Sequence, residues 1–189
     1  VVLEGLSITR GSADRGGGVS IPGSSTIVTF SNCDFYSNTA ARNGGGVSIV
    51  ASSTIVTFSD CSIYSNDASN YGGGLFINSV TVTLTLNNCD IHSNQAAGGG
   101  GVNTGGGTLT LNNCNVYSNS VSSADFSRGG GIYITGSSTR VTFQFCQIYS
   151  NTASPGGGVY ITGGTVTLSS CDIYSNSASD SGGGAGSGR

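Results

Sequence analysis

A chain of 189 residues is long enough for one sizeable core, and this one is sparsely charged: 8% of its residues, with a formal net charge of −3. Its 33 glycines against 2 prolines, together with regular apolar runs, exclude a collagen-like chain and argue against disorder. All six basic residues are scattered arginines, and no run of about 18 apolar residues occurs, so neither a nucleic-acid partner nor a membrane span is expected.

The chain opens on VVLEGLSITRGSADRGGG at 1–18. This aligns, in degenerate form, with everything that follows: Leu6 stands where later copies have Cys, and Ile8 where the next has Phe35. Residues 16–38, GGGVSIPGSSTIVTFSNCDFYSN, are then almost repeated at 44–66 as GGGVSIVASSTIVTFSDCSIYSN. Four looser copies follow, marked by NNCDIHSN, NNCNVYSN, QFCQIYSN and SSCDIYSN around Cys89, Cys114, Cys146 and Cys171. From Cys33 and Cys61 onward, the steps between successive cysteines are 28, 28, 25, 32 and 25 residues. The long step holds one insert, SVSSADFSR at 120–128, and the short ones trim a turn before the Thr-rich run. Length changes confined to the same joints are those of loops on a repeating scaffold. The chain closes on SGGGAGSGR at 181–189. Neither end carries Met or a leader pattern, so 1–189 reads as a single segment cut from a longer or processed chain.

Within one repeat, apolar residues alternate with polar ones at the period of a strand. Val19 and Ile21 share a face, as do Val28 and Phe30; Cys33, Phe35 and Ser37 share a third, with Asp34 and Tyr36 opposite. The phase breaks at Gly23–Ser25, at Ser31–Asn32 and between Asn38 and Gly44. Three short strands and three corners per repeat follow. No 3.6-residue stripe appears, and Thr, Ser, Val, Ile and Gly are poor helix formers. The expected fold is all-β: a right-handed parallel β-helix of three short strands per turn and about six to seven turns, stacked ~4.8 Å apart.

Stacking then places like on like. The second strand gives the inward columns Val28, Val56, Leu84, Leu109, Val141, Val166 and Phe30, Phe58, Leu86, Leu111, Phe143, Leu168. The third gives Phe35, Ile63, Ile91, Val116, Ile148 and Ile173. Burial of each such side chain is worth roughly 1.5–3 kcal/mol. Asn38, Asn66, Asn94, Asn119, Asn151 and Asn176 form a corner ladder whose amides can bond one another and the bent backbone. Ala40, Ala68, Ala96, Ala153 and Ala178, two residues on, suit a tight inward turn.

The pairing of GGGV, at 44–47, with FYSN, at 35–38, resembles the repeats of chlamydial polymorphic outer-membrane proteins. It is also similar to β-helix repeats of algal and protist surface proteins, including those of flagellar hairs (mastigonemes). The likeness covers nearly the whole chain, with Ile or Val in most copies where that family has Phe. It implies a β-helix in a surface or filament protein.

Several columns could carry chemistry. Cys33, Cys61, Cys89, Cys114, Cys146 and Cys171 stack at a spacing inside the disulfide range of ~4.4–6.8 Å between Cα atoms. Two readings stay open: bridges Cys33–Cys61, Cys89–Cys114 and Cys146–Cys171, or a buried row of free thiols behaving as small hydrophobes. With no CxxC and one His, no metal site is expected. Tyr36, Tyr64, His92, Tyr117, Tyr149 and Tyr174 form an outward column, either a strand-favouring surface or a strip for lateral packing or sugar rings. Thr29, Thr57, Thr85, Thr110, Thr142 and Thr167 form another, but its companion row of Ile27, Ile55, Thr83, Thr108, Arg140 and Thr165 is too mixed for a regular ice-binding face. Glycoside hydrolysis needs two facing carboxylates. The only Glu is Glu4, and Asp34, Asp90 and Asp172 fall on non-adjacent turns, ~10 Å or more apart. No catalytic residue and no cofactor are therefore expected. No N-x-Ser/Thr acceptor occurs, so sugar, if attached, is O-linked on the Ser/Thr loops.

The sequence thus reads as a non-enzymatic structural module of an extracellular surface protein or filament, mastigoneme-like, meeting copies of itself or sister subunits end to end or side by side. The alternatives are a carbohydrate-binding or polysaccharide-degrading β-helix and an ice-binding protein.

Overall fold

The computed structural model describes residues 1–122 and 128–187. Residues 123–127, the middle of the 120–128 insert, and 188–189 lie outside the described part.

The chain winds as a parallel β-solenoid with four sheets of seven strands each, every neighbouring pair parallel. One turn runs Ile55–Ser59 in sheet I, Ser62–Tyr64 in sheet II, Asp67–Ala68 in sheet III and Leu75–Ile77 in sheet IV. The next turn starts at Thr83, opposite Ile55. Every inward column falls in register: Val28 on Val56 on Leu84 on Leu109, and Phe35 on Ile63 on Ile91. The core is correspondingly continuous, with Phe30 and Phe58 stacked at 4.8 Å and Phe35 set edge-on to Phe30. In the last turn Leu168 is exposed, because no strand among the described residues lies beyond it.

Two details differ from the sequence expectation. The turn has four strands, not three. The fourth occupies the stretch assigned to the corner from Asn38 to Gly44, where Thr39–Asn43 pairs with Asp67–Ala68. Ser37 was placed inward with Cys33 and Phe35, yet it is exposed. Its backbone is left-handed (φ 54°), as is that of Ser65, Ser93, Ser118, Ser150 and Ser175 in the other turns. That one residue resets the alternation, so Asn38 turns inward and Ala40 is buried two residues later. Sheet III has only two residues per strand in most turns, with Ala40, Ala68 and Ala96 as a separate small cluster.

The Gly triplet before sheet IV belongs to the same corner. At Gly72 the chain takes φ +66°. At Gly73 a Cβ would lie 2.4 Å from the Gln95 carbonyl oxygen and 2.5 Å from that of Gly100. At Gly74 it would press on the Gly101 carbonyl and the Asn94 amide. The triplet is required by close approach of consecutive backbones and by the amide ladder it covers.

Candidate functional site

The Asn ladder is the most regular polar feature. Asn66 Oδ1 accepts from the Asn38 backbone N–H at 3.1 Å and from Asn38 Nδ2 at 3.0 Å. Asn66 Nδ2 donates to the Phe35 carbonyl at 2.9 Å and to Asn94 Oδ1 at 3.0 Å. The scheme continues through Asn94, Asn119, Asn151 and Asn176. Four contacts at each of Asn66, Asn94, Asn119 and Asn151 satisfy the amide's full donor capacity and saturate its oxygen. This ladder holds the coil, and its four inner amides leave no group free for a ligand.

The cysteine column is likewise internal. All six are free thiols, which decides between the two readings and removes the bridges Cys33–Cys61, Cys89–Cys114 and Cys146–Cys171. The physical reason is direction. Each thiol points the same way and donates to the carbonyl two residues before it: Cys33 to Ser31 at 3.3 Å, Cys61 to Ser59 at 3.2 Å, Cys114 to Asn112 at 3.3 Å. Hydrogen bonds along the row and burial raise Cys61 and push Cys89 and Cys114 up to about 12, while the bond from Cys114 lowers Cys146. Since the thiolate is the reactive form, brief iodoacetamide treatment of the folded protein at pH 8 is expected to label half-buried Cys171 and spare Cys89 and Cys114. Intact mass should show six free thiols. Prompt labelling of Cys89, or a mass two hydrogens short per pair, would contradict this.

On the outside of sheet II the rings of Tyr36, Tyr64, His92, Tyr117, Tyr149 and Tyr174 form one continuous stack. Successive centroids are 4.7–5.0 Å apart, with interplanar angles between 3° and 13°. A flat stack covers the ring faces and offers only edges and hydroxyls to solvent. A sugar ring lies on an aromatic face, so the length of this strip is unsuited to sugar packing and better suited to lateral contact. Burial pushes the phenols of Tyr64, Tyr117 and Tyr149 up and the His92 imidazole down. His92 should therefore titrate below its ordinary 6.5. With a depressed folded value, the unfolded chain takes the proton first as pH falls through 6.5. Stability present at neutral pH should decline on acidification through that window, and His92→Tyr should lose this part of the decline. An NMR titration placing His92 at or above 6.5 would contradict the assignment.

The register separates the carboxylates of sheet II: Ser62 lies between Asp34 and Asp90. Asp90 instead accepts from Asn115 Nδ2 at 2.8 Å. On sheet I, Thr29, Thr57 and Thr85 align outward, with exposed Ile27 and Ile55 beside them.

One concave part of the surface was not found from the sequence. It lies outside sheet IV, as an open hollow of about 370 Å³. The central residues of the sheet IV strands point outward there: Ser48, Phe76, Asn103, Tyr133 and Tyr160. Turn by turn, one copy is small where its neighbours are large. Gly98 stands in register between Tyr71 and Arg128, Asn103 between Phe76 and Tyr133. Gly105 lies so close to Asn78 Oδ1 and Thr135 Oγ1 that a Cβ there would be 3.3 Å from each. The missing bulk is the hollow, lined by Asn43, Tyr71, Phe76, Asn78, Asn103, Gly105, Tyr133 and Thr135. Tyr71 and Tyr133 sit 6.4 Å apart and Tyr133 and Tyr160 5.8 Å apart, tilted by 42° and 43°, so these rings do not cover one another flatly. The signal was present: this column varies from Ser to Phe to Asn to Tyr, where the inward columns repeat.

Among known families, the model described as "Right handed beta helix region" matches residues 17–187. No curated protein and no solved structure matches the chain.

Proposed function

Because the chain belongs to the family of right-handed β-helix regions, we propose that it is a structural module, a rigid length of rod within an extracellular surface protein or filament. The observation that supports this best is the unbroken amide ladder through every turn from Asn38 to Asn176. A polar rail of this kind maintains register and stiffness. The flat aromatic stack of sheet II supplies a surface for side-by-side contact. Low charge and faces rich in Ser, Thr and Asn agree with life outside the cell. The likeness of the repeats to surface and flagellar-hair proteins points the same way. Sedimentation and negative-stain imaging of the purified chain across a concentration series are the test. Rods that lengthen or bundle as concentration rises are expected. Dispersed particles of one size at every concentration would overturn the assembly reading.

A further inference from the structure

We infer that the tyrosine row outside sheet II is a site of oxidative cross-linking, where phenols of one copy of the chain join phenols of a second copy as dityrosine. The inference rests on the side-by-side contact proposed above and names the bond that fixes it.

Three observations converge on this row. First, the geometry presents the atoms that react. Stacking covers the ring faces of Tyr36, Tyr64, Tyr117, Tyr149 and Tyr174 and leaves their outer edges and hydroxyls to solvent. Phenol radicals couple through the edge carbons beside the hydroxyl. Tyrosines adjacent in the row lie face on face, 5.0 Å apart and within 6° of parallel, so their edge carbons cannot meet in a shared plane. The bond therefore has to reach another molecule. Second, little else in the chain competes for an oxidant. Met and Trp are absent. Five of the six thiols are buried and Cys171 is half-buried, while Tyr133 and Tyr160 are only 8% and 7% exposed. Third, a second copy carries its phenols at the same step. Two such rows share one repeat of ~4.8 Å, so contact at one turn brings other turns into contact as well. The charges permit the approach. Asp34, Asp90 and Asp172 flank the row on one side only, and exposed Ser37, Ser65 and Ser93 flank it on the other. A two-fold axis along the rods sets the carboxylates of each copy against the serine hydroxyls of the other, not against carboxylates.

The step balances. Each phenol gives up one electron and one proton, and the two radicals form a carbon–carbon bond. The proton on each bonded ring carbon then moves to the oxygen of its own ring and restores the hydroxyl. Hydrogen peroxide, acting through a haem peroxidase, takes the two electrons and two protons and leaves as two waters.

The test treats the whole chain with hydrogen peroxide and a haem peroxidase, at the concentrations of the sedimentation series. It reads dityrosine fluorescence, denaturing gels run with reductant, and the masses of linked peptides from a mixture of heavy-isotope-labelled and unlabelled chains. Covalent dimers and longer oligomers are expected, joined between copies through the sheet II tyrosines, with two hydrogens lost per bond. Tyr36→Phe, Tyr64→Phe, Tyr117→Phe, Tyr149→Phe and Tyr174→Phe together keep the rings, remove the phenols and should abolish the oligomers. Tyr71→Phe, Tyr133→Phe and Tyr160→Phe together should leave them. Circular dichroism shows whether each variant is folded; if the sheet II variant is not, the peptide masses of the parent chain carry the test. Rods that associate without oxidant yet form no dityrosine, or whose bonds map to Tyr71, Tyr133 or Tyr160 or lie within one chain, overturn the inference and leave the side-by-side reading standing. Chains that neither associate nor cross-link overturn both.

Discussion

Gly73→Ala is expected to cost at least about 4 kcal/mol, enough to leave much of the chain unfolded. The added methyl would meet the Gln95 carbonyl at 2.4 Å, the Gly100 carbonyl at 2.5 Å and the Gln95 carbonyl carbon at 2.7 Å. All three are main-chain atoms of the next turn, held by the hydrogen bonds that define the stack, such as Gly73 N–H to Gly99 at 3.3 Å. No flexible side chain is available to move aside, so turns must part or the corner must unwind. Gly23→Ala is the control. Its Cβ would meet nothing nearer than the Thr26 hydroxyl at 3.4 Å, and its effect should stay within about 0.5 kcal/mol. Chemical denaturation of the two variants checks the pair. Equal and small effects would mean that the turns are less tightly apposed than described.

Asn94→Ala is expected to destabilise the protein by about 3–5 kcal/mol. Asn94 is fully buried in the middle of the ladder. Its oxygen accepts from the Asn66 N–H and amide, both at 3.0 Å, and its nitrogen donates to the Ile63 carbonyl at 2.8 Å and to Asn119 Oδ1 at 3.0 Å. Truncation leaves the Asn66 N–H and the Ile63 carbonyl without those partners, and each orphaned buried group costs about 1–3 kcal/mol. It also removes the amide against which Gly74 packs. A loss below about 1 kcal/mol in urea unfolding would show that the ladder follows the fold instead of holding it.

The regular parts of this structure were legible because repetition itself carries information. Val28 over Val56 over Leu84, and Asn38 over Asn66 over Asn94, could be read as columns before any coordinate was known. The fourth sheet was hidden by a single backbone choice. Ser at position 37 does not advertise a left-handed conformation, as Gly or Asn would, so the inward turn of Asn38 looked like a corner. The thiol state was open because spacing alone permits a bridge; the shared direction of the side chains, visible in each Cys-to-carbonyl bond, excludes it. The hollow was missed for the opposite reason. It arises where the repeat is broken, and it needs Gly98, Asn103 and Gly105 to be seen as one gap between the bulk of Tyr71, Phe76 and Tyr133. On a scaffold of this kind, sameness marks what holds the coil and irregularity marks what the coil displays.

The central claim is that each copy of the motif closes one circuit and settles in line with its predecessor. The most direct measurement is the folding of a chain from which one full period, residues 67–94, has been excised so that Asn66 runs into Gln95. These are the 28 residues that separate successive ladder amides. The shortened chain is expected to keep a β-rich circular-dichroism spectrum and a single cooperative melt, because every column closes up by one step of ~4.8 Å. Removing only 67–80 should abolish both, since sheets I and II would then meet the wrong partners. Disorder after removal of the full period, or equal tolerance of the two deletions, would contradict the account.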